Sequence, residues 1–141
     1  MVVENKGKEK LCCFYVSEFH LEMILLPYIN KKIKEKEEIT IITEIKLRES
    51  LEILISKMNL KEENKEKILN LGWDGEEKIK ENSNIIIIGT RDYIKNRNNE
   101  IKNKNAVSVL DCYSFEEEKD NMEDIIKEYK NTLNTLGKNN F

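Results

Sequence analysis

The sequence lacks the features that mark several large classes of protein. No apolar run approaches the ~20 residues that a membrane-spanning helix requires, and residues 1–10 lack the apolar stretch of a signal peptide. We therefore predict a cytoplasmic protein with no membrane partner. The net charge is −3 and no basic cluster is present. This balance argues against a nucleic-acid partner, because neutralising phosphates is the main source of that affinity.

Motifs for phosphate binding and nucleophilic catalysis are also missing. The chain contains no GxxxxGK[ST] loop, no GxGxxG loop and no GxSxG nucleophile elbow. Its single histidine, His20, excludes a histidine-rich metal site. The sequence therefore predicts neither a metal nor a cofactor.

Cysteine is scarce, with only Cys12, Cys13 and Cys112. In a reducing compartment these residues are expected as free thiols. Cys12 and Cys13 are adjacent on a predicted strand, so they point to opposite faces and cannot chelate one ion together. No CxxC redox motif is present. We predict buried thiols that pack as small hydrophobic side chains.

Strand patterns recur along the chain. At 141 residues we expect one domain over 11–135, preceded by a disordered or frayed segment at 1–10 and followed by a tail at 136–141. Apolar runs predict five strands, at 11–16, 39–43, 69–73, 84–90 and 106–112. A helical interpretation of 66–71 stays open. The run of four isoleucines at 85–88 predicts a central strand, buried on both faces.

Helical patterns separate these strands. Ser17 is a good cap for a long helix that begins after the first strand, and Pro27 predicts a kink or restart within it. A second helix is predicted from the apolar stripe of Leu47, Leu51, Leu54, Ile55 and Met58. We also predict one or two helical turns at 74–81, a weaker helix at 91–102, and a last helix that begins at 114 or 115 and continues through Leu133.

Strands that alternate with helices at this spacing predict an α/β fold. We expect a single domain with a mostly parallel sheet of about five strands and helices on both faces. Periodicity does not determine the strand order, so RecA-like, Rossmann-like and flavodoxin-like arrangements all stay open.

In parallel sheets, ligands bind outside the carboxyl ends of the strands. Polar and aromatic residues concentrate at the predicted strand ends, and they nominate the following ligand-binding residues: Ser17, Glu18, His20, Trp73, Arg91, Cys112 and Tyr113. Trp73 and Tyr113 would supply flat apolar contact, while Arg91 and His20 would supply charge or hydrogen bonds. Helix capping is the structural alternative for polar residues such as Ser17.

Two stretches carry a resemblance to a known family. The segment FYVSEFHLEMILLPYINKKI, followed by ITIITE, and the closing VLDCYSF resemble the MEDS domain, the methanogen/methylotroph sensory domain. The resemblance implies a RecA/KaiC-type core without a phosphate loop, and a sensory role in bacterial or archaeal regulation. This chain is shorter in the middle and has no attached kinase or DNA-binding segment, so we expect any output to pass through a separate partner.

The sequence thus predicts a non-enzymatic module that recognises a small molecule or a regulatory protein partner. One alternative is a small flavodoxin-like or nucleotide-handling enzyme, with His20 as the acid/base and Glu18 or Asp111 orienting it. Another is a protein-interaction scaffold. The sequence does not indicate an oligomeric state.

Overall fold

A computed structural model describes residues 9–75 and 78–140 as a six-stranded sheet with helices on both faces. The predicted α/β fold is confirmed. Residues 1–8, most of the segment predicted to be disordered, lie outside the described residues, as do 76, 77 and 141. No helix within the described ranges is long and apolar enough to cross a membrane.

The sheet has the order β2-β3-β4-β1-β5-β6, in which β6 is antiparallel to β5 and the other pairs are parallel. The strands are β1 (Glu9–Tyr15), β2 (Glu38–Thr43), β3 (Ser83–Ile88), β4 (Ala106–Ser114), β5 (Asn131–Asn134) and β6 (Gly137–Asn140). The strands predicted at 11–16, 39–43, 84–90 and 106–112 are confirmed. Every residue of β3 is buried, as expected for a strand between two others.

The helices are α1 (Glu18–Lys34), α2 (Arg48–Ser56), α3 (Glu62–Leu69), α4 (Arg91–Ile101), α5 (Phe115–Glu118) and α6 (Met122–Ile126). Ser17 caps α1 as predicted, and α1 continues through Pro27 as one helix. The stripe predicted for the second helix packs inward, with Leu47, Leu51 and Ile55 fully buried.

The strand order excludes two of the arrangements that the sequence left open. In both the Rossmann and the flavodoxin orders, β1 is the neighbour of β2. Here β1 lies between β4 and β5, while β2 forms an edge of the sheet. This placement of β1 excludes both of those orders.

Two apolar clusters divide the strand side chains between the faces of the sheet. On one face, here called the α1 face, Cys13 and Leu110 pack with α1, α2 and α3. On the other, the α4 face, Cys12 and Val109 pack with α4 and α6. Cys12 and Cys13 thus point to opposite faces, as the alternation of a strand requires.

The strand favoured at 69–73 is wrong, because helix α3 ends at Leu69 and a turn follows it. Trp73 is buried, and its indole Nε1 donates to the carbonyl of Ile68 at 2.6 Å. The amide of Leu47 donates to the carbonyl of Trp73 at 3.1 Å, so α2 and α3 leave the end of β2 and return to it. The alternation of Leu69, Leu71 and Trp73 comes from a helix end that turns back into the core.

The helical turns predicted at 74–81 are not found in the described part of that segment. Residues 78–80 have no regular structure, and Ile79 packs on the α4 face. This segment, not α2 and α3, therefore makes the crossing from β2 to β3. Connections between parallel strands are right-handed crossovers. The chain moves along the sheet in one direction from β1 to β2 and in the opposite direction from β2 to β3, so the two connections must lie on opposite faces of the sheet.

The single last helix is also wrong. The region folds as the short helices α5 and α6, followed by a hairpin of β5 and β6 that includes most of the predicted tail. Leu133 is only 6 % exposed, because β5 pairs with β1 and turns this side chain into the α1 face. Gly137 has a φ of +112°, a conformation that favours glycine at this turn.

Candidate ligand-binding cleft

Side chains within the turn between β1 and α1 form hydrogen bonds with the backbone of the same turn. The hydroxyl of Ser17 accepts from the amide of His20 at 3.1 Å, and the Nδ1 atom of His20 accepts from the amide of Val16 at 2.9 Å. A neutral imidazole that accepts at Nδ1 carries its proton on Nε2. His20 thus resembles the third residue of a capping box, which satisfies an amide before the helix. Ser17 and Glu18 are exposed beside it.

At the start of α4, a side chain of the protein likewise accepts a hydrogen bond from the backbone. The carboxylate of Glu44, just after β2, accepts from the amide of Thr90 at 2.8 Å. A Cβ atom at Gly89 would lie 2.8 Å from this carboxylate and 2.6 Å from the ring of Tyr93, so glycine permits the close approach. The anion position at this helix terminus is therefore filled by the protein's own Glu44.

Trp73 and Cys112 lie inside the core on the α1 face. They are 1 % and 0 % exposed, respectively. Cys112 is the register partner of Cys13 on β1, and burial raises the pKa of the Cys112 thiol well above its usual value. The contacts of these two predicted site residues are with other core residues.

Arg91 and Tyr113 are the two predicted site residues that share a cavity. This cavity, the α4 cleft, has a volume of about 510 Å³ and lies between α4 and the segment that precedes β5. Its lining comprises Lys10, Arg91, Asp92, Ile94, Lys95, Asn98, Asn99, Tyr113, Glu128 and Tyr129. Ser17, Glu18 and His20 are not among these residues.

A buried carboxylate lies beside the cleft. Asp111 is fully buried, and its Oδ2 accepts from the ammonium of Lys10 at 3.0 Å. The side-chain amide of Asn98 donates to the two carboxylate oxygens at 3.1 and 3.2 Å, and its own oxygen accepts from Lys10 at 2.8 Å. The strand predicted at 106–112 is longer in the structure, and β4 continues to Ser114. Asp111 alternates with Val109 and Tyr113 and therefore faces α4.

Two phenols extend this network. The hydroxyl of Tyr129 donates to Asp111 Oδ2 at 2.5 Å and lies 2.6 Å from the hydroxyl of Tyr113. Because Tyr129 has only one hydroxyl proton, Tyr113 must donate to Tyr129. Burial, together with the charge of Asp111, raises the pKa of both phenols far above the usual value. Both tyrosines therefore keep their protons at neutral pH.

Three charged side chains that line the cleft are not engaged by other side chains of the described residues, so they are available to a ligand. Arg91 and Lys95 project from α4, and Glu128 lies across from them in the segment before β5. Across residues 9–75 and 78–140, none of these three side chains has a hydrogen bond or an ion pair. Lys10 lies 5.3 Å from the centre of the Tyr129 ring, a cation–π contact that joins the charged and aromatic parts of the lining.

The sequence contained one signal for this network. Asp111 interrupts an otherwise apolar strand, and a buried charge needs partners. Its partners Lys10 and Asn98 come from distant parts of the chain, so their roles were missed. Lys10 and Glu9 belong to β1, although the sequence analysis assigned them to the disordered or frayed segment before the first strand.

Comparisons with protein-family models, curated proteins and solved structures find no match to this chain. The resemblance to the MEDS domain therefore stays a prediction. Within the described ranges, no group of three or more His, Cys, Asp or Glu side chains is placed to hold a metal ion.

Proposed function

We propose that this protein is a sensory module that recognises a small molecule in the α4 cleft. The observation that carries the proposal is the network of Asp111, Lys10, Asn98 and Tyr129 beside a cavity of about 510 Å³. Burying the carboxylate of Asp111 costs desolvation energy, and an apolar side chain would fill this position at less cost. Fixed polar groups next to a cavity of ligand size are instead typical of a binding site.

The lining suggests how a ligand would be recognised. Tyr113 and Tyr129 offer ring surface, and Asp111 and Lys10 hold the ring of Tyr129 in place before a ligand arrives. Arg91 and Lys95 lie one helical turn apart and would bind an anionic group. Glu128 would accept from a donor elsewhere on the same ligand.

The contacts of His20 favour recognition of a ligand over acid/base catalysis. The Nδ1 atom of His20 already accepts from a backbone amide, and no hydrogen bond joins His20 to Glu18 or Asp111 among the described residues. Asp111 is bound to Lys10, Asn98 and Tyr129 on the opposite face from α1. An acid/base pair built on His20 therefore lacks its orienting carboxylate.

The strand order is compatible with the RecA-like core that the MEDS resemblance implies. The turn between β1 and α1 spans only Val16 and Ser17, too short for a loop around phosphates. Both observations agree with a core of this type, and we propose that it is a regulatory module located in the cytoplasm and acting through a partner protein.

The test begins with a thermal-shift screen of nucleotides, amino acids and carboxylic acids, followed by calorimetric titration of any hit. Arg91→Gln and Lys95→Gln should each weaken binding about tenfold, because each removes a charge-assisted hydrogen bond. Lys104→Gln is the matched control, since Lys104 is exposed beyond the end of α4 and outside the lining. A confirmed hit that binds all four proteins equally would contradict the proposal.

A further inference from the structure

The two edges of the sheet differ in how they are covered. At the β2 edge, the ammonium of Lys80 donates to the carbonyl of Ile39, and the amide of Lys80 donates to the hydroxyl of Thr40, both at 3.1 Å. At the other edge, β6 pairs with β5 on one side and has no further strand beside it in the described chain. An uncovered edge strand is a template for another strand.

An apolar groove runs beside this edge. It has a volume of about 250 Å³ and lies between α1 and the β5–β6 hairpin. Ile24 and Leu133 contribute its buried lining, Tyr28 is half-buried beside them, and Pro27 borders it on α1. Leu136, at the tip of the hairpin, also lines it and is 94 % exposed. Apolar side chains thus lie next to an unpaired strand edge.

The exposed side of α1 extends this apolar surface. Phe19 and Met23 precede Pro27 at intervals of one helical turn, and they are 61 % and 39 % exposed. Exposed apolar side chains that continue one another in this way are typical of an interaction surface rather than of solitary surface residues.

The groove is basic, although the protein as a whole is acidic. Lys31, Lys32 and Lys138 line it, with Glu9 as its single acidic residue. Lys138 pairs with Glu9 at 2.6 Å, and Lys32 lies 3.7 Å from Glu37. Lys31 is exposed and has no side-chain partner in the described part of the chain. An acidic ligand would therefore find an unpaired cation at this groove.

We propose that this groove, with the outer edge of β6, docks an extended segment of a partner protein in which acidic residues lie two positions before and after an apolar one, so that all of them point to the same face. The backbone of the segment would pair with β6, its apolar side chain would fill the groove over Ile24 and Leu133, and its carboxylates would meet Lys31. The docking surface is built on the α1 face, whereas the α4 cleft lies on the opposite face. The module thereby gains a separate output surface.

The probe is a capped peptide in which valine and glutamate alternate at every second position, with threonine between them, and the control peptide has lysine in place of glutamate. Binding is followed by fluorescence anisotropy. The acidic peptide should bind the wild type at least fivefold more tightly than the basic one. Lys31→Glu should weaken its binding about three- to tenfold through loss of one ion pair and gain of one repulsion. Lys34→Glu should change it less than twofold, because Lys34 lies in the same helical turn outside the groove.

Hydrogen exchange supplies the second readout. The acidic peptide should slow amide exchange within residues 137–140, since strand addition protects an edge. Equal binding of the two peptides, equal effects of the two variants, or no binding at millimolar concentration would each overturn the proposal. It would also be overturned if the protein dimerised through this edge, seen as a dimer in sedimentation that Leu136→Asp abolishes.

Discussion

Tyr129 donates its phenolic proton to the carboxylate of Asp111 across an oxygen–oxygen distance of 2.5 Å. Asp111 belongs to β4, and Tyr129 lies just before β5, on the far side of β1. Lys10 of β1 binds the same carboxylate oxygen at 3.0 Å. The carboxylate therefore ties three neighbouring parts of the sheet together and holds one wall of the α4 cleft in position.

Replacing this carboxylate should destabilise the protein strongly. Asp111→Asn confronts the three donors of Lys10, Asn98 and Tyr129 with a side chain that has one acceptor oxygen and donors of its own. We expect the free energy of unfolding to fall by about 2–4 kcal/mol, as when one partner of a buried pair is removed. Asp74→Asn, at an exposed position outside the helices, should change it by less than about 0.5 kcal/mol. Urea unfolding measures both, and equal stabilities would contradict the network.

Tyrosines should make the fold sensitive to base. Burial raises the pKa of Tyr28 to about 12 and raises those of Tyr113 and Tyr129 further. Tyrosines of the unfolded chain release their protons near pH 10, while the folded protein retains them. The unfolded state then binds fewer protons than the folded state, so stability falls as the pH rises above about 10.

Urea unfolding at about pH 9 and about pH 11 tests this dependence. The free energy of unfolding should drop by up to about 1.4 kcal/mol per pH unit for each buried tyrosine. Tyr28→Phe should reduce the slope, because it removes one of these groups. A stability that stays level over this range would show that the phenols are not protonated and buried as described.

The thiols should be inert while the protein is folded. All three cysteines are buried, and burial raises the pKa of Cys12 to about 12. Because the thiolate is the reactive form, a disulfide reagent at neutral pH should label none of them until urea is added. Ser17→Cys supplies an exposed thiol that should react at once. A Cys13–Cys112 crosslink in mildly oxidising buffer would instead indicate a redox function.

His20 is expected to matter for stability rather than for ligand affinity. His20→Ala leaves the amide of Val16 without its acceptor and should cost about 0.5–1.5 kcal/mol. His20→Gln retains a side-chain acceptor, as capping boxes do, and should cost less. Both variants should bind a cleft ligand like the wild type in calorimetry. A tenfold loss of affinity in His20→Ala at unchanged stability would place the ligand at the helix start.

The strands predicted correctly are those whose sequences allow one interpretation. The apolar run Ile85–Ile88 is only four residues long and lies between turn residues, so it is too short for a helix. Both the strand and its burial were therefore predictable. Leu133 is different, because it follows Tyr129 at helical spacing and also suits a strand. Its pairing with β1 decides the outcome, and single-sequence periodicity contains no information about pairing.

Only those residues of the α4 cleft that obey a local sequence rule could be nominated from the sequence. Arg91 and Tyr113, which both line the α4 cleft, were nominated because they lie near the ends of predicted strands, where parallel sheets bind ligands. Lys10 and Asn98 were missed, since their importance comes from contacts with Asp111 across long stretches of chain. Trp73 was nominated because an exposed aromatic side chain makes a good contact, but packing against α3 buries it.

The most direct test of the account is to map a bound ligand by amide chemical shifts. The uniformly ¹⁵N-labelled protein is titrated with the best hit from the thermal-shift screen. We predict that the largest changes fall within residues 91–99, 111–113 and 128–129, and that Lys95→Gln reduces them at equal ligand concentration. Largest changes confined to residues 16–20 would contradict the account, because the ligand would then bind at the start of α1 and not in the α4 cleft.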